Sequence, residues 1–135
     1  MIGLLIVTHG NLGQEVLRTA EDIAGRQEQA ASISVTSETG MDGLHQAFDE
    51  VLGRLSSGDG VLILVDMLGG SPCNAALLKT KSLNAEIVTG VNLYMILSAF
   101  RHRQELALKE LANKVAEDGK RAIVQPKELL LKRLG

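Results

Sequence analysis

The sequence predicts an α/β fold in which an open, mostly parallel central sheet carries helices on both faces. Short apolar runs rich in β-branched residues alternate with longer segments whose apolar residues recur at helical spacing, and this alternation is typical of strand–helix–strand units with right-handed crossovers. Two of the runs are apolar almost throughout, which indicates strands buried on both faces of a parallel sheet. Because neither an internal repeat nor a low-complexity linker interrupts the alternation, we expect one domain that spans residues 1–135.

Five runs are predicted as strands. The almost continuously apolar ones are residues 2–8 and 61–65, and shorter runs lie at 33–36, 86–89 and 122–124. The first run is far shorter than the roughly 20 residues that span a bilayer. It has neither a preceding basic region nor a following cleavage site with small residues, so we interpret it as a strand and not as a signal peptide.

Six segments are predicted as helices. The first carries an apolar stripe over residues 12–24 and ends at Gly25, and the second repeats this pattern over residues 44–55. A third begins with Ser71 as the N-cap and Pro72 at the first helical position. The third is expected to reach residue 78, and the others lie at 92–101, at 105–116 with Gly119 ending the segment, and at 126–135.

Charge and composition exclude several classes of function. The 14 Lys and Arg residues against 16 Asp and Glu residues leave a net charge of −2, so the chain lacks the basic surface with which proteins bind nucleic acid. Aromatic residues make up only 2%, which argues against stacking platforms for bases or sugars. A single cysteine, Cys73, excludes an internal disulfide and favours a reducing, cytoplasmic location. We expect Cys73 to be buried and His45 and His102 to lie on the solvated surface.

Polar residues and glycines follow three of the predicted strands. In chain order they are Thr8, His9 and Gly10 around the end of the first strand, Asp66, Gly69, Gly70 and Ser71 after the third, and Thr89 and Asn92 after the fourth. Ligands of open parallel sheets bind at the carboxyl ends of the strands, near the point where the strand order reverses. We therefore expect these residues to converge on one edge of the sheet.

The residue types in this cluster suit a phosphorylated histidine. His9 is a nucleophile and base with an ordinary pKa near neutrality, and a carboxylate such as Asp66 can hold one ring N–H so that the other nitrogen faces outward. Gly69 and Gly70 permit a tight turn with close backbone approach. Ser71 offers a hydroxyl at a helix N-terminus, whose free N–H groups and positive dipole end favour phosphate.

Each of these residues also has a simpler structural interpretation. His9 can be an ordinary loop residue, Asp66 can cap a turn, Ser71 can serve only as an N-cap, and a Gly-Gly pair suits many strand-to-helix turns. Their shared position at predicted strand ends favours a site over these alternatives.

Rival motifs are absent from the sequence. The surroundings of Ser71 lack the second glycine of G-x-S-x-G, and neither a P-loop nor a G-x-G-x-x-G fingerprint occurs. One cysteine and three scattered histidines give no zinc signature. We therefore expect neither a metal nor a cofactor.

Three sequence blocks resemble the mannose-family enzyme IIA domain of the bacterial phosphotransferase system. They are Ile6-Val7-Thr8-His9-Gly10, Val65-Asp66-Met67-Leu68-Gly69-Gly70-Ser71-Pro72-Cys73-Asn74-Ala75-Ala76, and Thr89-Gly90-Val91-Asn92-Leu93-Tyr94-Met95. Their order and spacing fit the family, and the resemblance extends over nearly the whole chain. By this resemblance His9 is the phosphorylated residue, Asp66 its orienting carboxylate and Ser71 a ligand of the phosphoryl group.

The resemblance also implies partners. A histidine phosphocarrier protein of the HPr type donates the phosphoryl group to the IIA histidine, and a IIB component accepts it and phosphorylates a sugar that enters through the membrane components IIC and IID. The family implies a homodimer in which a C-terminal strand can cross to the partner's sheet as an antiparallel strand. Residues 122–124 are the segment here that could form this strand. Since no linker or IIB domain follows within 135 residues, we expect IIB to be a separate protein.

The chain departs from the family pattern at three positions near the blocks. Leu68 stands where the family commonly has Trp or Phe, Tyr94 where proline is usual, and Cys73 where Phe is frequent. None of these changes removes a reactive group, so they concern the fit of partners and the specificity for a sugar, which the other components read.

Two other functions fit the same residues. One is a regulatory module whose phosphohistidine reports carbon or nitrogen status to a kinase or transcription regulator without sugar transport. The other is a small hydrolase that uses His9 and Ser71.

Overall fold

The sheet consists of four parallel strands in the computed structural model, which describes residues 1–55 and 58–134. They are β1 (Gly3–His9), β2 (Ala30–Val35), β3 (Val61–Val65) and β4 (Ala85–Val88). Their order is β2-β1-β3-β4, so the winding reverses between β1 and β3. Val7 is level with Val65 in the β1–β3 register, which brings the carboxyl ends of these two central strands side by side.

The core lies on both faces of this sheet. Every residue of β3 is buried, and so is every residue of β1 except His9. Alternate side chains point to opposite faces: Leu5 and Val7 join one apolar cluster, and Leu4 and Ile6 join the other. This two-sided burial explains why both strands are apolar almost throughout.

Helices cover each face, as the sequence predicts. On the Leu5 side lie α2 (Met41–Leu55) and α3 (Ser71–Lys79), and on the Leu4 side lie α1 (Leu12–Ala24), α4 (Leu93–His102) and α5 (Leu108–Arg121). The tail forms α6 (Pro126–Leu134). None of the helices in the described ranges is long and apolar enough to cross a membrane.

The predicted strand at residues 122–124 is wrong for this structure. Ala122 lies in a turn and the next residues are irregular, because the backbone N–H groups of Ala122 and Ile123 bond to carbonyls of the last turn of α5. Groups used in this way cannot form a strand ladder within one chain. Ile123 and Val124 are 82% and 54% exposed, and their exchange with a partner's sheet stays a prediction.

Gly119 also has a different role from the predicted one. It lies inside α5, which continues to Arg121, and a Cβ atom at this position would be 2.5 Å from Cγ of Met95. The glycine therefore permits close contact between α4 and α5 and does not end the helix. Residues 105–107 precede α5 and do not belong to it.

Two of the three side chains expected outside the site behave differently from the predictions. Cys73 is buried, as predicted. His45 and His102 are partly buried and not fully solvated, and Nδ1 of His45 is buried without a hydrogen-bond partner among the described residues.

Candidate functional site

The candidate site lies where β1 and β3 end side by side. His9 is the last residue of β1, and Asp66 is the first residue after β3. Since the strand order reverses between these two strands, the chain segments that follow them diverge to opposite faces of the sheet. This is the position at which open α/β sheets bind ligands.

His9 and Asp66 are held together by two hydrogen bonds. Nδ1 of His9 lies 2.8 Å from Oδ2 of Asp66, and the backbone N–H of His9 donates to the same oxygen at 2.9 Å. The other carboxylate oxygen accepts from the backbone N–H of Met67 at 3.0 Å. The Asp66 side chain is only 13% exposed, whereas 48% of the His9 side chain is open to solvent. The carboxylate is therefore held by hydrogen bonds in a mostly buried position, while the imidazole is open to solvent.

The environment of Asp66 keeps it ionised. Burial raises the pKa of this carboxyl, but the hydrogen bonds from the backbone and ring of His9, together with the charge of His9, outweigh burial and hold the pKa below its ordinary value of 3.8. An ionised carboxylate only accepts hydrogen bonds, so Nδ1 of His9 carries the proton in this pair. In the neutral ring the lone pair is then on Nε2, which has no hydrogen-bond partner among the described residues.

Gly70 borders this free nitrogen. A Cβ atom at Gly70 would lie 2.7 Å from Cε1 and 3.3 Å from Nε2 of His9, so the loop backbone passes directly beside the imidazole. Gly69 has φ +84°, a left-handed conformation that glycine adopts without strain. The two glycines thus have separate roles: Gly69 makes the turn and Gly70 leaves room for the ring.

Helix α3 begins beside the imidazole, one residue earlier than the sequence predicts. Gly70 and not Ser71 is the N-cap residue, and Ser71 is the first helical residue, exposed and followed by Pro72. The backbone N–H of Asn74 already bonds to the Gly70 carbonyl, which leaves the N–H groups of Ser71 and Cys73 without an intrahelical acceptor. Together with the Ser71 hydroxyl, they are the donors at this end of α3, and Gly70, the N-cap residue, borders the His9 ring.

Thr8 and Gly10 hold the chain on either side of His9. Thr8 is fully buried, and its hydroxyl oxygen accepts the N–H of Gly13 in the first turn of α1 at 2.7 Å. Gly10 has φ +58°, and its N–H donates to the Val35 carbonyl at 2.8 Å. Both residues fix the chain on either side of His9. Thr8 is buried and does not line the surface, whereas Gly10 is partly exposed and its contribution to the site stays a prediction.

Thr89 and Asn92 follow β4, as predicted, but no hydrogen bond or ion pair in the described chain joins them to His9, Asp66 or Ser71. Instead they line a separate cavity of about 510 Å³ between β4 and α5. Asn92 caps α4 by accepting the N–H of Met95 at 2.9 Å.

The structure adds three residues that sequence reasoning did not assign to the site. Met67 and Leu68 are 55% and 75% exposed in the loop beside Asp66, and Nδ2 of Asn74 donates to the Gly69 carbonyl at 3.4 Å. Two large apolar residues in a glycine-rich loop are the signal that could have identified Met67 and Leu68. Across the described residues, no group of three or more His, Cys, Asp or Glu side chains is arranged to hold a metal ion.

Comparisons with known proteins agree on one family. The family model described as "PTS system fructose IIA component" matches residues 3–116. The mannose-specific EIIAB component of the phosphotransferase system from Escherichia coli K12 is 32% identical over 124 residues, which are 90% of this chain and 38% of that protein. The fructose-specific EIIA component from Bacillus subtilis 168 is 29% identical over 114 residues, which are 84% of this chain and 78% of that protein.

Solved structures of similar proteins confirm the predicted fold class. The mannose/sorbose-specific IIA subunit from Enterococcus faecalis superposes with a TM-score of 0.83 at 28% identity, covering 92% of this chain and 93% of its own. The phosphotransferase component EIIA from Streptococcus agalactiae gives 0.84 at 26% identity, covering 95% and 99%. The chain spans less than two-fifths of the E. coli relative's length but nearly all of these two structures.

Proposed function

Since the chain belongs to the mannose-type enzyme IIA components of the bacterial phosphotransferase system, we propose that it relays a phosphoryl group through His9. In this proposal His9 accepts the group from a histidine phosphocarrier of the HPr type and passes it to a IIB component. The observation that carries the proposal is the His9–Asp66 pair, in which Nδ1 is engaged by a carboxylate at 2.8 Å and Nε2 is open beside the start of α3.

The proposed step is an in-line displacement at phosphorus. Nε2 of His9 attacks the phosphorus of the carrier's phosphohistidine, and the bond between phosphorus and the carrier's ring nitrogen breaks as the new P–N bond forms. The electron pair of the broken bond stays on the carrier's nitrogen. No proton has to move between the proteins, because Nδ1 of His9 keeps its proton against Asp66 throughout. The second step repeats this exchange with the acceptor in the IIB component.

Positioning and charge stabilisation are the main contributions of the protein to such a transfer. Asp66 holds the ring in one tautomer and stabilises the positive charge that the imidazole gains as Nε2 bonds to phosphorus. In the proposal, the free N–H groups of Ser71 and Cys73 and the Ser71 hydroxyl receive the phosphoryl oxygens, and Gly69 and Gly70 form the turn that leads into α3. A helix N-terminus stabilises an anion by about 0.3–2 kcal/mol, which is weak enough for the group to leave again.

The proposed partners follow from the family. Besides the phosphocarrier and a separate IIB component, they are the membrane components IIC and IID, reached through IIB, and a second copy of this chain; the proposed location is the cytoplasm. The curated relatives are named for different sugars, mannose and fructose. No sugar takes part in the proposed step, so the proposal concerns the relay and not one transported sugar.

Labelling tests the proposal directly. We expect a phosphorylated HPr-type carrier to transfer acid-labile label to the wild-type chain and not to His9→Ala. His45→Ala and His102→Ala are matched controls, because they remove the other two histidines of the sequence, and both should be labelled at the wild-type rate. Equal labelling of wild type and His9→Ala would refute the assignment.

A further inference from the structure

A further cleft lies between the outer faces of α4 and α5, away from the residues assigned to the relay. Its volume is about 700 Å³, which is within the range of sites for small organic ligands. Tyr94 and Leu97 contribute its apolar surface, and Ser98, Arg101 and His102 complete the lining from α4. From α5 come Lys114, Asp118 and Arg121.

The two helices that form the cleft run antiparallel. The Ser98 hydroxyl donates to Asp118 at 2.7 Å, and Met95 lies against Gly119, so the start of α4 is beside the end of α5. Arg121 therefore lies near the Tyr94 end of the cleft, and Arg101 lies about two turns away. Two turns of helix correspond to about 10 Å along the axis.

The charge in the cleft is unbalanced. Three cations, Arg101, Lys114 and Arg121, face a single carboxylate, Asp118, in a chain whose overall charge is −2. The carboxylate is already engaged, because Ser98 donates to one of its oxygens and Lys114 bonds to the other at 3.2 Å. The hydrogen bond from Ser98, together with Lys114 and the charge of His102, outweighs burial and keeps the pKa of Asp118 below its ordinary value. Neither guanidinium forms an ion pair with a carboxylate in the part of the chain that the structure describes.

Helix dipoles account for only part of this arrangement. Arg101 and Arg121 lie in the last turns of their helices, where a positive charge is favourable. This effect explains one basic residue at each helix end. Lys114, in the middle of α5, forms an ion pair with Asp118 four residues later. Neither effect explains the convergence of all three cations on one cavity beside an exposed tyrosine.

We propose that the cleft binds a small organic molecule with two anionic groups, one phosphate or carboxylate on Arg121 and the other on Arg101 and Lys114. Guanidinium groups bind both kinds of anion in bidentate geometry. The aliphatic body of the ligand lies along Tyr94 and Leu97. This site is separate from the relay at His9 and does not depend on it.

Calorimetric titration with matched ligands tests the proposal. The probes are 1,6-hexanediol bisphosphate, hexyl phosphate and suberate (octanedioate). We expect the bisphosphate or the dicarboxylate to bind at least tenfold more tightly than hexyl phosphate, which has a single anionic group, because only a molecule with two charged ends reaches both guanidiniums. The stronger of the two ligands identifies the preferred anionic group. Failure of both to bind, or equal binding of hexyl phosphate, would overturn the proposal.

Variants locate the bound molecule. Arg101→Gln and Arg121→Gln should each weaken binding of the tighter of these two ligands at least tenfold, since a hydrogen-bonded charge pair is lost. Arg54→Gln is the matched control, because Arg54 is also an exposed arginine in the last turn of a helix but lies on α2. His9→Ala and Ser71→Ala should bind as wild type does. Loss of binding in the latter pair would place the molecule at the relay site, and indifference to the two arginine changes would mark a nonspecific charge effect; either result contradicts the proposal.

Discussion

At the scale of single residues, the site depends on a glycine as much as on a reactive side chain. The sequence was sufficient to place His9 and Asp66 at neighbouring strand ends, because parallel strands bring their carboxyl ends to one edge. It was not sufficient to separate the roles of Gly69 and Gly70. Either glycine permits a turn. Only the structure shows that Gly70 has an ordinary φ of −81°, so that its role is to leave room for the His9 ring.

Gly70→Ala should impair phosphoryl transfer without unfolding the protein. The backbone conformation of Gly70 is allowed to alanine, but the added Cβ would be 2.7 Å from Cε1 of His9, so the imidazole has to move. A displacement of about 1 Å in a reacting group can cost up to roughly a hundredfold in rate, and we expect a loss of about tenfold or more in the rate of His9 labelling. The ring resonances of His9 in an NMR spectrum should shift in parallel.

Gly43→Ala provides the matched control for this experiment. A Cβ at Gly43 would meet nothing within 4 Å, and the position is inside α2, where alanine is the better helix former. Labelling of this variant should equal wild type. If Gly70→Ala transfers phosphate at the wild-type rate with an unshifted ring, the proposed steric role of Gly70 is wrong.

At the scale of elements, sequence reasoning succeeded where burial alone dictates the structure. Strands β1 and β3 and helix α1 were predicted almost to the residue, because their apolar patterns record burial directly. Strand β2 starts at Ala30, three residues before the predicted start at residue 33. Its first three residues, Ala30 to Ser32, have little strand preference. They adopt strand conformation because they pair with residues 4–6 of β1.

The misassigned residues differ from their predictions because of contacts that residue type alone does not reveal. Gly119 has the identity of a helix terminator, but its contact with Met95 makes it part of helix packing. The run 122–124 has a strand-like composition, but a strand also needs a neighbour, and the last turn of α5 uses its N–H groups first. Likewise Asn92 has the residue type of a ligand-binding side chain, and the structure uses it to cap α4.

Arg103 is an element-scale feature that composition cannot reveal. It follows α4 and is only 2% exposed, and its guanidinium donates to the carbonyls of Gln29 at 2.8 Å and of Glu28, while Gln27 supplies a side-chain oxygen at 3.2 Å. Burial lowers the pKa of Arg103 and the charge of Glu28 opposes that shift, but an arginine stays protonated at any physiological pH. The side chain thus joins the α4–α5 connection to the segment that leads into β2.

Arg103→Ala should therefore destabilise the protein strongly. The substitution removes the guanidinium donors from the carbonyls of Glu28 and Gln29 and the packing against Phe100, whose ring centre is 5.8 Å from the guanidinium carbon. We expect a loss of about 2–5 kcal/mol in the free energy of unfolding, measured by urea denaturation. Arg101→Ala, an exposed position on the same helical segment, should change it by no more than about 0.5 kcal/mol. Equal effects of the two substitutions would show that Arg103 does not tie these elements together.

At the scale of the whole molecule, the sheet has an edge at β4 that can pair with a further strand. β4 is the last strand in the order, so its outer edge offers N–H and C=O groups to another strand, and the 510 Å³ cavity beside it is lined by Thr89, Asn92 and Ile123. The C-terminal segment that begins at Ile123 also exposes apolar side chains. They are Ile123, Val124, Leu129, Leu130 and Leu131, each about half exposed or more.

This arrangement supports the proposed homodimer and makes it testable by a single substitution. This pairing requires the bonds from the N–H groups of Ala122 and Ile123 to the last turn of α5 to open. If residues 122–124 of one copy then pair with β4 of the other, an open edge and an exposed apolar segment are covered together, and sedimentation velocity should show a particle of two chains at micromolar concentration. Val124→Asp places a charge in that pairing and should shift the equilibrium toward monomer. Met41→Asp is the matched control, because Met41 is 56% exposed against 54% for Val124 but lies in the first turn of α2, where an acidic residue is favourable. A wild-type chain that sediments as a monomer, or a Val124→Asp variant that dimerises as Met41→Asp does, would rule out this mode of assembly while leaving the relay through His9 untouched.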